Sequence, residues 1–389
     1  MKIITYLCLI ACQFSWSQLK VSSVNYAQQL VDNLLGDAKN IRISNPKITS
    51  EKEAFGLFTT KLNYINFLDA GIIISTGLAT SAIGPNKQQN KTSHINFFSD
   101  SDINDIAAHK GCYDTSLFEF DLVSETDQIQ FNYVFASEEY PEYINKNVND
   151  VFIFLVTNTQ SKVSENIAIL NGDKNTPITV DHINQKKNTN FYLPNNQFTP
   201  ELLKSKHMKA IEMAYTFQYD GFTTKLTAIA NVEPYVKYHF KLGISDVGDQ
   251  NFDSAIFLEA NSLKSTGTKP SLSQAISSFK DELSLDFDIG FEYNSAKLKG
   301  ENSYKLLNQI IDELKKDQSI SVQIIGHTDQ QGTETHNLDL SLKRAQTVTN
   351  YLINQNISKH RITTDGLGET QLKSHLDEEN RRVEIIFKR

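Results

Sequence analysis

A change in hydrophobic periodicity near residue 263 constrains the fold of this chain most strongly. Before it, short runs rich in β-branched and aromatic residues recur between Asn, Asp, Gly and Pro, as in IQFNYVFA (129–136) and DVFIFLV (150–156). After it, alternating strand-like runs take turns with helical spacing. The first pattern is typical of an antiparallel β-sandwich or jelly roll, and the second of an α/β domain. The sequence therefore predicts two domains of different class.

The boundary between the two patterns is the polar segment LKSTGTKPSLSQ (263–274), which offers almost nothing to bury. Such a composition predicts a linker, which we place at 264–283. It separates an all-β, jelly-roll-like module over 18–263 from an α/β domain over 284–389. The second domain reads strand, helix, strand, helix, strand, strand (βαβαββ). Its first helix is predicted from an apolar stripe of Leu307, Ile310, Ile311 and Leu314.

The N-terminal residues 1–17 predict a signal peptide. Lys2 supplies a positive charge, an apolar run follows, and Ser15 and Ser17 occupy the small-residue positions of a cleavage site. LIAC, ending at Cys12, also fits a lipoprotein signal in which Cys12 becomes the lipidated N-terminus. We favour cleavage after Ser17, and the alternative stays open. The protein is expected to be exported, and no later run reaches the roughly 18 apolar residues of a membrane helix.

Cysteine usage and charge exclude two classes of site. Cys8 and Cys12 lie in the predicted leader, so Cys112 is left alone in the mature chain, without an internal disulfide partner. A cysteine-based zinc or redox site is excluded on the same ground. The net charge of −8 gives no basic footprint, so nucleic acid is not an expected partner.

Carboxylates gather in two segments of the β module, FASEEYPEYINKNVND (135–150) and DVGDQNFD (246–253). Carboxylates in loops can ligate Ca²⁺, which takes six to eight oxygen ligands. Neither segment matches the EF-hand loop, and solvated loops with turn-forming Asp and Asn are the alternative, which needs no cofactor. No nucleophile or well-placed His accompanies them, so catalysis is not expected here. The candidate calcium ligands are Glu138, Glu139, Asp150, Asp246, Asp249 and Asp253.

Several motifs of the β module follow one another in a recognisable order: YAQQLVDNLLG, GIIISTGLATSAIGPN, FASEEYPEY with NDVFIFLV, and ISDVGDQNFDSAIFLEA. They resemble the choice-of-anchor L domain, which occurs on exported bacterial proteins joined to various C-terminal surface anchors. The resemblance covers most of residues 20–263. It implies an envelope or surface module of unknown activity, and it carries no catalytic residues.

Charged and histidine side chains of the second domain are most concentrated in GHTDQQGTETHNLDLSLKRA (326–345). Ser341 is predicted to cap a helix that buries Ala345, which places Arg344 in the first turn. The helix dipole disfavours a cation there, and a residue that breaks a local rule is a candidate for function. The alternative is a surface arginine that pairs with Asp339.

Asp329 follows a predicted strand, where Asp is most often a turn former. Together with Arg344 it would also grip a zwitterion, because a carboxylate binds an ammonium and a guanidinium binds a carboxylate in a bidentate fork. His327, Asp329, His336 and Asp339 can in principle supply metal ligands, but no HExxH pair is present, so zinc is disfavoured. A hydrolase is also disfavoured, because neither Ser341 nor Thr328 has an evident His and Asp behind it.

The motifs FEYNSAKL, VQIIGHTDQQG, NLDLSLKRAQTVTNYL, RITTDGLGE and NRRVEI resemble those of the OmpA-like domain, over roughly residues 284–389. The resemblance implies non-covalent binding of peptidoglycan through the diaminopimelate of its peptide stem. It assigns the two principal ligand positions to Asp329 and Arg344, and it leaves His327 and Thr328 as structural residues. The supporting positions are Asn294, Asn337, and Arg381 or Arg382.

These observations predict an exported, non-enzymatic envelope protein that binds peptidoglycan and thereby moors its β module at the outer membrane or in the periplasm. The alternative is a surface adhesin, or a carbohydrate- or protein-binding module, for which the C-terminal domain is only an anchor. The sequence leaves open the ligand of the β module, the side of the outer membrane that it faces, and the oligomeric state.

Overall fold

The computed structural model describes residues 19–389, apart from 37, 39, 62–66, 87–90, 96–98, 108–109, 147, 196–215 and 373–376. The predicted leader, with its candidate cleavage positions at Cys12 and Ser17, lies outside the described residues. The chain divides into two compact units, residues up to 233 with 237–267, and 234–236 with 268–389. No helix in the described part is long and apolar enough to cross a membrane.

The N-terminal unit is built almost wholly of strands, which pair antiparallel in two sheets. In chain order the strands are β1 Lys20–Ser23, β2 Ile41–Thr49, β3 Phe55–Thr59, β4 Ala70–Ser75, β5 Cys112–Ser124, β6 Gln128–Ser137, β7 Val151–Asn158, β8 Ser164–Asn166, β9 Tyr192–Pro194, β10 Gly221–Thr223, β11 Leu226–Asn231, β12 Lys237–Val247, β13 Ser254–Glu259 and β14 Lys264–Thr266. The helices are α1 Gln28–Leu35 and α2 Ser101–Ile106, with 3-10 turns at Lys52–Ala54, Ala79–Ala82, Leu170–Gly172 and Thr189–Phe191.

One sheet has the order β1-β3-β4-β13-β6-β10-β9, with β11 and β14 also pairing with β6; the other has the order β2-β5-β12-β7-β8. Aromatic side chains join the two sheets, since the ring of Phe131 on β6 lies 4.1 Å from that of Phe154 on β7. Tyr133 and Phe152 meet in the same way at 5.5 Å. Burying each such ring stabilises the fold by about 1.5–3 kcal/mol. The prediction of an all-β sandwich is confirmed.

The C-terminal unit is a four-stranded sheet with helices. Its elements are α3 Leu272–Ser278, β15 Glu282–Phe287, α4 Glu301–Lys316, β16 Ser321–His327, α5 Glu334–Asn354, a 3-10 turn Lys359–Arg361, β17 Ile362–Gly368, α6 Asp377–Asn380 and β18 Val383–Lys388. The strand order is β15-β18-β16-β17, with β16 and β17 parallel and the other pairs antiparallel. The predicted α4 stripe of Leu307, Ile310, Ile311 and Leu314 is buried in the core. The predicted α/β class and βαβαββ order are therefore confirmed.

The structure differs from the predicted linker at 264–283. Lys264–Thr266 pair with β6 as strand β14. Leu272–Ser278 form α3, which begins with a capping box between Ser271 and Gln274 and buries two residues, Ala275 and Ile276. A capping box and two apolar contacts are enough to fix a short helix against a core, although the segment is mostly polar.

Candidate functional site

Asp329 lies two residues after the end of β16, where the chain leaves the sheet. The backbone N–H of Thr328 donates to the carbonyl of Gly368 at 2.9 Å, which is the last such contact before the turn. Asp329 follows and is 7% exposed. Its Oδ1 accepts the backbone N–H of Gln331 at 3.0 Å, so the residue is a turn former, as its position predicts. The second carboxylate oxygen is left for another partner.

Helix α5 begins earlier than the sequence predicts. Thr333 caps it by accepting the N–H of His336, and the helix starts at Glu334. Ser341 lies inside the helix, where its hydroxyl donates to the carbonyl of Leu338 and accepts the N–H of Gly368. Arg344 is therefore roughly three turns from the N-terminus. The predicted cap at Ser341 and the dipole argument for Arg344 are wrong, because the first turns of α5 bury polar rather than apolar side chains and show no apolar stripe.

Arg344 is a buried cation that uses only one of its hydrogen-bond donor nitrogens within the described structure. It is 8% exposed, its Nε donates to the carbonyl of Ser295 at 3.1 Å, and its guanidinium lies 5.1 Å from the ring centre of Phe291. Burial lowers the pKa of Arg344, and the nearby charge of Asp329 opposes that shift, so the group stays charged at neutral pH. Its terminal nitrogens have no hydrogen-bond partner among the described residues. Asp339 pairs with Lys343 at 2.6 Å, so the alternative pairing with Arg344 is wrong.

The neighbouring arginines 381 and 382 have different partners. Arg381 reaches Asp329, with its Nη1 2.5 Å from Oδ2. Arg382 turns to β15, where its Nε lies 3.1 Å from Oδ1 of Asp286. Of the two candidates, the structure brings only Arg381 to the site. The positive charge of Arg381 also lowers the pKa of Arg344, after burial, so two guanidinium groups face one Asp329 carboxylate.

The two predicted asparagines hold the site together in different ways. Asn337 is 1% exposed, and its amide donates to the backbone carbonyl of Asp329 and to the carboxylate of Glu369. Asn294 is exposed, has a φ of 47°, and its Oδ1 lies 2.9 Å from Nε2 of His336. Sequence reasoning missed Glu369. The available signal was that it follows β17, whose carboxyl end must lie beside that of the parallel strand β16.

Two glycines let α5 lie directly on the sheet. A Cβ on Gly326 would stand 2.0 Å from the carbonyl oxygen of Ser341, and one on Gly366 would stand 2.4 Å from the backbone nitrogen of Leu342. This close approach sets where Arg344 emerges relative to Asp329. His327 is fully buried, with Nε2 3.2 Å from Glu384, and belongs to the scaffold.

The candidate calcium ligands of the N-terminal unit form a buried set. Glu138, Glu139, Asp150, Asp246 and Asp253 are each at most 2% exposed, while Asp249 is partly exposed. The predicted alternative of solvated loop residues is therefore wrong for these five, which we call the acidic cluster. Within the described residues, no three His, Cys, Asp or Glu side chains are arranged as a metal site.

The acidic cluster is only partly satisfied by hydrogen bonds. Asp150 accepts from the hydroxyl of Ser254 at 2.5 Å, and Asp253 accepts from that of Ser93 at 2.6 Å. Burial, and then neighbouring carboxylates, raise the pKa of Glu138 to about 10. Burial likewise raises the pKa of Asp150 to about 8 and that of Asp253 to about 6. A carboxyl group in a dry, negative environment resists ionisation.

Comparison with known proteins places both units. The family profile described as the choice-of-anchor L domain matches residues 20–264, well over half of the chain. The chain belongs to the choice-of-anchor L family. A second profile, the OmpA family, matches residues 290–385. The two predicted resemblances and their order are thus confirmed, and the units are named here the choice-of-anchor L domain and the OmpA-like domain.

Curated relatives match only part of their length. Outer membrane protein A of Citrobacter freundii is 38% identical over 88 residues, which is 22% of this chain and 37% of that protein. Peptidoglycan-binding protein ArfA of Mycobacterium tuberculosis is 39% identical over 88 residues, 21% of this chain and 27% of that protein. A solved structure of an outer membrane protein from Borrelia burgdorferi B31 matches 28% of this chain and 88% of its own, with 35% identity and a TM-score of 0.24.

Proposed function

We propose that the protein binds peptidoglycan non-covalently through its OmpA-like domain, with the zwitterionic end of diaminopimelate in the stem peptide as the ligand. The observation that carries this proposal is the buried, charged Arg344, whose terminal nitrogens bond none of the described residues and whose charge is influenced by the carboxylate of Asp329. The similarity to a protein named for peptidoglycan binding supports it.

In this proposal the ligand ammonium binds Oδ2 of Asp329 and displaces Arg381, whose side chain is 45% exposed and free to turn away. The ligand carboxylate then takes the bidentate fork of Arg344. Asn337 holds the Asp329 loop by its backbone, and Asn294 offers its amide at the rim. Each charge-assisted contact contributes on the order of 1.5–3 kcal/mol.

The proposed site binds and does not cleave. The hydroxyl of Ser341 is engaged within the scaffold, and that of Thr328 is buried. Among the described residues, neither hydroxyl is hydrogen-bonded to a base that would activate it as a nucleophile. Incubation with sacculi should release no muropeptides, and their release would contradict a purely binding role.

The same proposal places the protein in the cell envelope, exported by its predicted leader, where the OmpA-like domain moors the choice-of-anchor L domain to the sacculus. The anchored domain would bind a protein or a glycan. Protease treatment of intact cells tests its side: cleavage within residues 20–264 indicates a surface adhesin, and protection indicates a periplasmic module.

Co-sedimentation with purified diaminopimelate-type peptidoglycan tests the site itself. Asp329→Ala and Arg344→Ala should each weaken binding tens-fold, as about 1.4 kcal/mol corresponds to tenfold. The exposed pair on the same helix supplies the control, because Asp339→Ala and Lys343→Ala should bind normally.

Peptidoglycan with lysine in place of diaminopimelate lacks the side-chain carboxylate and should bind wild-type protein as weakly as Arg344→Ala binds the natural polymer. A double variant, Asp329→Ala with Arg344→Ala, that sediments like the wild type would overturn the assignment.

A further inference from the structure

Strand β11 forms an open edge of the larger sheet. On one side it pairs with β6 in a continuous register, from Leu226 opposite Tyr133 to Asn231 opposite Gln128. On its other side no strand of the described residues pairs with it, since β9 covers β10 alone. An unpaired edge presents a row of backbone N–H and C=O groups that can bond to another strand. This edge is therefore a candidate surface for strand pairing.

The ladder with β6 fixes which backbone groups of β11 point outward. The N–H of Val232 donates to the carbonyl of Asp127, its partner in the continued register, at 3.0 Å. In an antiparallel ladder, hydrogen-bonded pairs alternate with non-bonded pairs. The even-numbered residues of β11 therefore bond to β6, and the backbone groups of Thr227, Ile229 and Asn231 point away from it. Within the part of the chain that the structure describes, these outward groups have no hydrogen-bond partner.

The other edge strands of this domain are protected against pairing, and β11 is not. Strand β2 is interrupted by a bulge between Ser44 and Lys47 that contains Pro46. Strands β1, β8, β9 and β14 have only three or four residues each. Short strands, prolines and bulges are the usual devices that block unwanted edge pairing. Strand β11 has six residues without a proline, a charged side chain or a bulge, which indicates an edge that is open to a partner.

The exposed side chains of β11 are suited to meet their own copies. Thr227, Ile229 and Asn231 are exposed and alternate with buried residues, and Ile229 at the centre is 48% exposed. A second β11, antiparallel about a two-fold axis at Ile229, would place the two Ile229 side chains together and Thr227 opposite Asn231. All three outward residues then form hydrogen-bonded pairs, which gives roughly six backbone hydrogen bonds.

Charges at the two ends of β11 complement each other in the same register. Lys225 precedes the strand and exposed Glu233 follows it, so each would lie opposite the other residue of the second copy. Lys225 already pairs with Glu259 at 2.8 Å, whereas Glu233 has no ion-pair partner among the described residues. Moving the axis to Thr227 or to Asn231 would instead set Ile229 opposite a charged residue. A shift by one residue would turn inward-facing backbone groups toward the partner.

We propose that the choice-of-anchor L domain forms a dimer by antiparallel pairing of β11 with β11 of a second copy, centred on Ile229. The larger sheets of the two copies then join across the two-fold axis, in an isologous interface where the same surface serves both subunits. Ile229 supplies the apolar centre, Thr227 and Asn231 flank it, and the ion pairs between Lys225 and Glu233 close both ends.

The first test measures the oligomeric state of the full chain in its exported form. Sedimentation equilibrium should show a dimer that dissociates on dilution. Ile229→Lys sets two like charges opposite each other and should raise the dissociation constant on the order of tenfold or more, whereas Ile229→Val should keep the dimer. Ile106→Lys, at a 39% exposed residue of α2 beside the other sheet, should also leave it unchanged. Circular dichroism of each variant shows whether it folds.

Disulfide trapping tests the register. Ile229→Cys would place two thiols opposite each other with their Cα atoms about 5.5 Å apart, which a disulfide can span, so oxidation with diamide should link the dimer. Thr227→Cys lies opposite Asn231 and should not link to its own copy. The wild type, in which Cys112 is buried, gives the background.

A wild-type chain that stays monomeric at the highest concentrations measured would overturn the dimer. A folded Ile229→Lys variant that dimerises like the wild type would overturn β11 as the interface. Linking of Thr227→Cys in place of Ile229→Cys would overturn the register. Mixed disulfides of Ile229→Cys with another envelope protein in intact cells, without the homodimer, would overturn the second copy as the occupant of this edge.

Discussion

The two domains bury charge in opposite ways. In the OmpA-like domain Asp329 pairs with Arg381 and its charge also acts on Arg344, so both signs are present and one partner, Arg381, is half-exposed. In the choice-of-anchor L domain the acidic cluster contains carboxylates only and is closed to solvent. A mixed-sign site can stay satisfied without a ligand and then exchange one of its own partners for it. A single-sign site must take its counter-charge, a proton or a cation, from outside.

The largest expected effect tests whether the mixed-sign site depends on the close approach of α5. Gly326→Ala would place its Cβ 2.0 Å from the carbonyl oxygen of Ser341, so the helix must move away from β16. Such overpacking costs about 1–3 kcal/mol of stability. Binding of peptidoglycan should be lost as well, because Arg344 and Asn337 move with the helix.

The control is Gln330→Ala, at an exposed residue of the adjacent loop, which should change neither thermal unfolding nor co-sedimentation. Normal binding of peptidoglycan by Gly326→Ala would show that the close approach of α5 is not needed.

A pair of adjacent arginines separates binding from stability. Arg382→Ala breaks a bridge to Asp286 in which both side chains are 11% exposed, and should lower the free energy of unfolding by about 1–3 kcal/mol. Arg381→Ala removes a half-exposed partner, whose loss costs at most about 1 kcal/mol of stability, yet should strengthen the binding of peptidoglycan several-fold, because the ligand no longer has to displace Arg381 from Asp329. Denaturant titration and co-sedimentation of both variants measure the two effects. The reverse result would place Arg382, not Arg381, at the site.

A smaller effect is expected at Asn337, whose amide bridges Asp329 and Glu369. Asn337→Ala should weaken binding by about 0.5–1.5 kcal/mol, the net contribution of an ordinary hydrogen bond. Asn337→Asp should weaken binding more than Asn337→Ala does, because it places a second carboxylate beside that of Glu369. The site would then resemble the acidic cluster, in which carboxylates face one another. Affinities measured at pH 7 in the same buffer decide this, and equal affinities for the two variants would contradict it.

The smallest effect concerns a mixed-sign set in the other domain. A hydrogen bond to Glu119 raises the pKa of His239, and Asp121 adds to that, its Oδ1 lying 3.0 Å from Nδ1. A raised pKa means that the stabilisation is complete below about pH 6.5 and is lost as pH rises through the folded-state pKa. His239→Gln should therefore differ in unfolding temperature from wild type near pH 6 and match it by about pH 9. A difference that grows with pH would contradict this.

Local patterns carried the prediction of the fold. Alternating aromatic and β-branched runs identify β6, β7 and β12, and the stripe of α4 is buried as its spacing indicates. The start of α5 could not be predicted from apolar spacing, because its first turns bury Asn337 and Ser341 instead of apolar residues. Position in the chain also cannot show which of the adjacent Arg381 and Arg382 belongs to the site. Arg381 pairs with Asp329 after β16, whereas Arg382 pairs with Asp286 on β15.

The sites depend on contacts between distant segments, and these limit prediction further. The sequence predicts Asp329 and Arg344 from a pair of charges suited to a zwitterion and from a family resemblance, whereas Glu369 is recognised only when β17 lies beside β16. The acidic residues were recognisable as candidates, but their burial follows from four strand ends meeting, which no single segment encodes.

Strand β14 has a mechanical consequence. It holds to β6 through three residue pairs, and about five residues then lead to α3, which allows a reach of only about 17 Å. If the sacculus pulls on one domain and a bound partner on the other, the tension passes through this short strand. Because β14 is held by only three pairings, it would separate from β6 under a smaller pull than the longer strands need, and its release would lengthen the chain between the two domains.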